Sequence, residues 1–197
     1  MVKSYQTIRK STEGYFKEKG SRFISFAYPV TSRENCKSLI DSLKKKYHDA
    51  RHHCFAFSIG VGHQNETRAN DDGEPNHSAG DPILSQIKSF GLTDTLVVVV
   101  RYFGGTKLGV SGLIHAYKTA AEEALNRTEI ITVEIKTEFL LKYPYDKTQP
   151  VLRLMKELKV ELVDQNFSES CELKGKVDSE QMPMLANKLD LLGLSLD

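Results

Sequence analysis

Leu96-Val97-Val98-Val99-Val100-Arg101-Tyr102-Phe103-Gly104-Gly105-Thr106-Lys107-Leu108-Gly109-Val110-Ser111-Gly112-Leu113 sets the terms for the rest of the chain. Its first five residues are apolar with no alternation, the pattern of a strand covered on both faces. Glycines then break the strand and lead into a helix from about residue 113 to 126. Leu113, Ala116, Tyr117, Ala120, Ala121, Ala124 and Leu125 turn inward at helical spacing. A sheet with helices packed on it follows from these two elements alone.

Upstream, Phe23-Ile24-Ser25-Phe26-Ala27-Tyr28 reads as a strand stopped by Pro29. Thr31 to Glu34 has the spacing of a capping box, with Thr31 as the cap. A surface helix is therefore expected over 32–48, with Cys36, Leu39, Ile40, Leu43 and Tyr47 on its apolar face and Lys44, Lys45 and Lys46 outside. Residues 53–61 read as a second strand. Residues 63–80 are polar, contain Gly73, Pro75 and Gly80, and are expected to form a long loop, a length that in compact domains usually goes with function. Asp81 as cap and Pro82 at the first helical position then start a short helix. Its stripe is Ile83, Leu84, Ile87 and Phe90, and Gly91 is its left-handed stop.

Downstream of residue 128 the composition turns strand-rich up to Tyr143. Pro144 and Pro150 bracket a polar turn, and Val151, Leu152, Leu154, Met155 and Leu158 space as a helix. Residues 160–167 and 171–177 read as strands and 182–189 as a helix. This β-α-β-β-α order with a strand-like tail is the split βαβ, ferredoxin-like pattern. The expected class is α+β with two domains, residues 1–136 and 137–197.

Among the 197 residues, 27 Lys and Arg stand against 26 Asp and Glu, and 40% are hydrophobic, which excludes a disordered or collagen-like chain. No apolar run approaches the roughly 18 residues of a membrane span. Met1-Val2-Lys3-Ser4-Tyr5-Gln6 has no apolar signal core. Cys36, Cys54 and Cys171 are odd in number and lack Cys-x-x-Cys spacing, so a reducing cytoplasm is expected. Residues 1–51 carry 12 basic and 5 acidic side chains. That excess suits an anionic partner, and equally a solvated helix face with a flexible arm.

Asp71-Asp72-Gly73-Glu74 places three carboxylates in four residues. Such oxygens suit Mg²⁺ or Ca²⁺, but adjacent acids lack the alternating grammar of an EF-hand. They can equally cap the helix at Pro82 or pair with Arg68 and Arg101. His52, His53, Cys54, His63, His77 and His115 have the right chemistry for zinc but not its spacing. Neighbours in a strand face opposite sides, which separates His53 from Cys54 as a nucleophile pair. Ser78 and Ser111 lack a Gly-x-Ser-x-Gly elbow, so no catalytic residue is assigned. The Gly-rich segment joins a buried strand to a helix, where free backbone N–H groups favour an anion. It is neither a Walker A loop nor Gly-x-Gly-x-x-Gly, and its glycines serve equally to pack the turn against another loop.

Ser21-Arg22-Phe23-Ile24, Ala50-Arg51-His52-His53-Cys54-Phe55-Ala56, Asp71-Asp72-Gly73-Glu74-Pro75, Ala79-Gly80-Asp81-Pro82-Ile83-Leu84 and above all Val97 to Leu113 resemble the Impact/YigZ family, also called uncharacterised protein family 0029. The resemblance is strong over 18–126 and rests on pattern and length over 137–197. It implies a first domain like the second domain of ribosomal protein S5. The second domain would be ferredoxin-like, similar to the last domain of elongation factor G. Two departures stand out: Asn76-His77-Ser78 where the family usually reads Ser-Gly-Thr, and Ser111 where a second glycine is common.

The function this resemblance implies is non-enzymatic, RNA- or ribosome-associated regulation of translation. On that reading Arg101, Lys107 and the backbone of Gly104 and Gly105 take phosphate, while Tyr102 and Phe103 stack. Arg51, His52 and Arg68 widen the site. Asp71, Asp72 and Glu74 organise the loop through Arg101 or a Mg²⁺ ion, with no other cofactor or metal expected. The rival is an enzyme or small-ligand protein of metal-assisted hydrolase type using Asp71, Asp72 and Glu74 with His53. A third reading gives the C-terminal domain a protein partner; no membrane partner is expected.

Overall fold

The structure, a computed structural model, describes residues 3–167 and 170–196; the start of the N-terminal hexapeptide read above lies outside them. The chain divides into two compact units, one of Tyr5–Val133 and one that begins at Glu134 and takes in Lys3 and Ser4.

In the first unit the all-apolar run becomes β6 (Thr95–Tyr102), the central strand of a five-stranded sheet. With β2 (Thr12–Glu18), β3 (Ser21–Pro29), β4 (His52–Ile59) and β5 (Glu66–Asn70), the order is β2-β3-β6-β4-β5, and every neighbouring pair is antiparallel. Leu96, Val98 and Val100 face a core shared with Phe26, Phe57 and α1 (Arg33–Lys46). Val97 and Val99 face the opposite core, built with α2 (Gly80–Ser89) and α3 (Gly109–Leu125). Helices on both faces explain the missing alternation, and each fully buried valine contributes about 1.5–3 kcal/mol of transfer energy. β1 (Ser4–Ile8) and β7 (Ile130–Glu134) pair separately as a two-stranded ribbon.

Local signals are corrected at four places. Ser32, not Thr31, caps α1: its backbone is extended and its Oγ accepts from the Asn35 N–H at 3.2 Å. Adjacent hydroxyls share one sequence signature, and only the backbone distinguishes them. The expected long loop over 63–80 contains a 3-10 turn at Gly62–Gln64 and the edge strand β5. That strand is polar and pairs with β4 through its backbone, so it has no hydrophobic period to read. α2 starts at Gly80, which puts Asp81 inside the helix rather than at its cap. α3 starts at Gly109, one turn before Leu113, because its first residues include two glycines that weaken the helical signal.

The second unit runs β8 (Lys136–Pro144), α4 (Thr148–Glu157), β9 (Glu161–Asn166), β10 (Ser170–Asp178) and α5 (Met182–Asp190). Its sheet order is β8-β10-β9, antiparallel throughout, and Leu196 in the tail makes a single antiparallel bridge to Leu141 of β8. Leu141, Tyr143, Leu173 and Val177 from the sheet close on Val151, Met155, Leu185 and Leu189 from the two helices. The chain is thus mixed αβ, with two units each built on its own sheet and core.

Candidate functional site

β3 and β4 run antiparallel to β6, so their first residues lie beside its last. Arg22 is opposite Tyr102, and both Phe23 and His52 are opposite Arg101. This end of the sheet forms a cleft of about 720 Å³ lined by Arg22, Asp49, Arg51, His52, Arg101, Tyr102, Phe103 and Lys107. Six residues singled out from the sequence therefore meet here. Arg22 and Asp49 were missed as site residues. Arg22 carried a signal in the basic N-terminal quarter; Asp49 carried none, since only the pairing of β3, β4 and β6 puts it here.

Arg68 is not in this cleft. It lies on β5 opposite Phe57, in a separate groove against α1. Gly104 is also reassigned. Its N–H donates to Ser21 Oγ at 3.1 Å, and a Cβ there would stand 1.8 Å from the Gly20 carbonyl carbon. It is glycine because two backbones touch, so its amide is not available to a phosphate. Gly105, at φ +89°, has open space around it.

Arg101 is bound rather than free. Its Nη1 lies 2.6 Å from Glu74 Oε1, and that oxygen also accepts from Tyr117 Oη at 2.8 Å. Arg101 Nη2 reaches Ser21 Oγ at 3.5 Å, while its buried Nε has no partner. Tyr102 donates to Asp49 Oδ1 at 2.7 Å, and the Arg22 guanidinium sits 4.8 Å from its ring centre. That hydrogen bond pushes the Tyr102 hydroxyl pKa up and holds the Asp49 carboxyl below its usual value. Phe103 is 58% exposed, with the Arg101 guanidinium 5.7 Å from its ring centre. It is the aromatic face in the cleft open to solvent.

The three clustered carboxylates go three ways. Asp71 Oδ1 accepts from the Ala79 and Gly80 N–H groups and Oδ2 from that of His77, all at 2.8–2.9 Å. Partial burial raises the Asp71 pKa, but these backbone donors outweigh it and hold the carboxyl below its ordinary range. Asp71 thus caps α2 from a distance, the task assigned to Asp81 by sequence. Asp72 accepts from the His53 N–H at 2.8 Å and from Lys44 at 3.0 Å, while the His52 Nδ1–H donates to the Asp72 carbonyl at 2.9 Å. Glu74 takes Arg101. Among the described residues, no three His, Cys, Asp or Glu side chains converge as a metal-holding group. Cys54 Sγ lies 3.0 Å from the Asp71 carbonyl and 3.3 Å from Tyr117 Oη. Burial pushes this thiol well up and favours its neutral form.

The fold and this cleft define a two-unit αβ protein whose first unit is an Impact N-terminal domain, the family model that matches residues 19–125. The chain belongs to the IMPACT family. It is 33% identical over 181 residues to the IMPACT family member YvyE of Bacillus subtilis, covering 92% of this chain and 83% of that protein. It is 29% identical over 172 residues to the IMPACT family member YigZ of Escherichia coli, covering 87% and 84%. A crystal structure of a hypothetical protein superposes with a TM-score of 0.77 at 26% identity, covering 100% of this chain and 97% of that one. None of the helices described is long and apolar enough to cross a membrane.

Proposed function

We propose that this protein is a non-enzymatic, cytoplasmic, RNA- or ribosome-associated regulator of translation that holds single-stranded RNA in the cleft at the end of β6. The observation that carries this reading is the gathering of Arg22, Arg51, His52 and Lys107 around the exposed ring of Phe103. Cations track the phosphates and an open aromatic face stacks a base. Arg101 serves as the charged floor, with its buried Nε unpartnered, rather than as the principal phosphate ligand. In fold terms the first unit is read as ribosomal protein S5 domain 2-like. The second is read as ferredoxin-like, supported by the β8-β10-β9 order with the tail bridged to β8. We place the domain boundary at residue 137, and the second domain is the one available to a protein partner.

The test is fluorescence anisotropy with a short single-stranded RNA, together with ribosome co-sedimentation, across about 50 to 200 mM salt. Affinity is expected to fall steeply with salt. Lys107→Ala and Arg51→Ala should each weaken binding and lower the salt slope by about one counterion. Phe103→Ala should weaken binding without changing that slope. Absence of any association at low salt overturns the reading. The metal-assisted hydrolase alternative has no comparable support, because Asp71, Asp72 and Glu74 are each taken by separate partners.

A further inference from the structure

A second groove, distinct from the cleft, opens on the α1 side of the first unit's sheet, between α1 and the β4–β5 edge. Its volume of about 490 Å³ falls in the range of small-ligand pockets. Its apolar lining is Phe55 and Phe57 from β4 with Cys36 and Ile40 from α1. Phe57, Cys36 and Ile40 belong to the buried core, and Phe55 is half-buried at the opening. Burial pushes the Cys36 thiol up to about 11, so it presents a neutral, apolar surface.

The rim is cationic. Arg68 stands opposite Phe57 in the β4–β5 register, so its side chain lies on the same face as that ring. Arg33 is already held by Glu66 at 2.6 Å. The side chains of Lys37 and Arg68 make no ion pair or hydrogen bond among the described residues. Two unengaged cations beside an aromatic floor complement one anionic group attached to an apolar body. A polyanion would gain little, because Glu34 shares the rim and the floor offers nothing polar to further charges.

We propose that this groove binds a small amphipathic carboxylate, its apolar body against Phe55 and Phe57 and its carboxylate between Lys37 and Arg68. The site goes beyond the RNA reading and shares no residue with it. The bidentate fork of Arg68 favours a planar carboxylate over a point anion.

The experiment titrates ¹⁵N-labelled protein with naphthalene-2-carboxylate and, separately, with its neutral carboxamide, following amide shifts by NMR. The carboxylate is expected to bind about tenfold tighter than the carboxamide, with shifts centred on Cys36, Ile40, Phe55 and Phe57. Arg68→Gln and Lys37→Gln should each remove about three- to tenfold of that preference and leave carboxamide affinity unchanged. Both are rim substitutions, and unchanged melting temperatures confirm intact folds. Equal affinities for the two probes, shifts elsewhere on the molecule, or variants that bind the carboxylate as the parent does would each overturn the proposal. So would saturation of the groove by an acidic Asp-Phe-Asp-Leu peptide with no binding of the small carboxylate.

Discussion

Glu74 Oε1 lies 2.6 Å from Arg101 Nη1, with both side chains more than nine-tenths buried, and the same oxygen takes the Tyr117 hydroxyl. This contact fastens the 71–79 loop to the end of β6 and to α3. Removing one partner strands a charge in the interior, whereas removing both does not. Glu74→Ala is expected to cost about 3–5 kcal/mol in chemical denaturation. The double variant Glu74→Leu with Arg101→Met should be less destabilised than Glu74→Ala. A double variant that loses as much as the sum of both singles would show that the pair acts independently.

Asp71 satisfies three backbone N–H groups at the start of α2. Asp71→Ala should therefore cost about 1–2 kcal/mol, as the loss of a helix cap does. Asp81→Ala should cost less than about 0.5 kcal/mol, since that residue makes an exposed contact. Because the Asp71 carboxyl is held below its unfolded value, its contribution is present above the ordinary carboxylate range. It is lost as pH falls through the depressed folded value. Melting curves of parent and Asp71→Ala should accordingly converge in acid.

Two neighbouring glycines separate close packing from backbone conformation. An alanine Cβ at residue 104 would stand 1.8 Å from Gly20 backbone, while one at residue 105 would meet nothing within 4 Å. Gly104→Ala should cost about 3 kcal/mol or more and displace the loop that carries Phe103. Gly105→Ala, strained only by its positive φ, should cost about 1–2 kcal/mol. Comparable melting temperatures for the two would contradict the close backbone approach.

The histidines respond to pH with opposite sign. Burial lowers the His53 pKa, so the stability it permits is full above the unfolded histidine value and falls as pH drops through its folded one. The hydrogen bond that the His77 ring donates to Asp81 raises the His77 pKa, so its contribution is full below the unfolded value and is lost as pH rises through the folded one. His53→Gln should flatten the acid limb of a stability–pH curve below the unfolded histidine value. His77→Gly should gain stability relative to the parent as pH rises. It relieves a left-handed backbone at φ +62° once the ion pair has gone.

That strained residue also shows how sequence and structure inform each other. His77 stands where the resemblance leads one to expect glycine, and its backbone is left-handed at φ +62°. The departure was readable in the chain, but its cost was not, because a backbone angle is not written in residue identity. The carboxylates followed the same course. Their clustering was plain, and pairing with Arg101 was one of several readings left open. Which acid took Arg101, which capped α2 and which held Lys44 depended on side-chain directions around a tight loop. Arg68 went astray for a related reason: it precedes the acidic cluster in sequence but leaves on β5, a polar edge strand with no period to betray it.

By itself the sequence determined what periodicity and local chemistry can carry. These are a strand buried on both faces at Leu96–Val100, helices with one apolar stripe, the β-α-β-β-α order after residue 137, and the family. Each follows from interactions within about a dozen residues or from a continuous hydrophobic pattern. The tertiary structure alone decided that β6 lies between β3 and β4. That antiparallel placement brings Arg22 and Asp49 to Tyr102, and His52 to Arg101, across about 50 to 80 residues of chain. Strand order is settled by which faces can be buried together, and residues far apart in sequence meet only once that burial is complete.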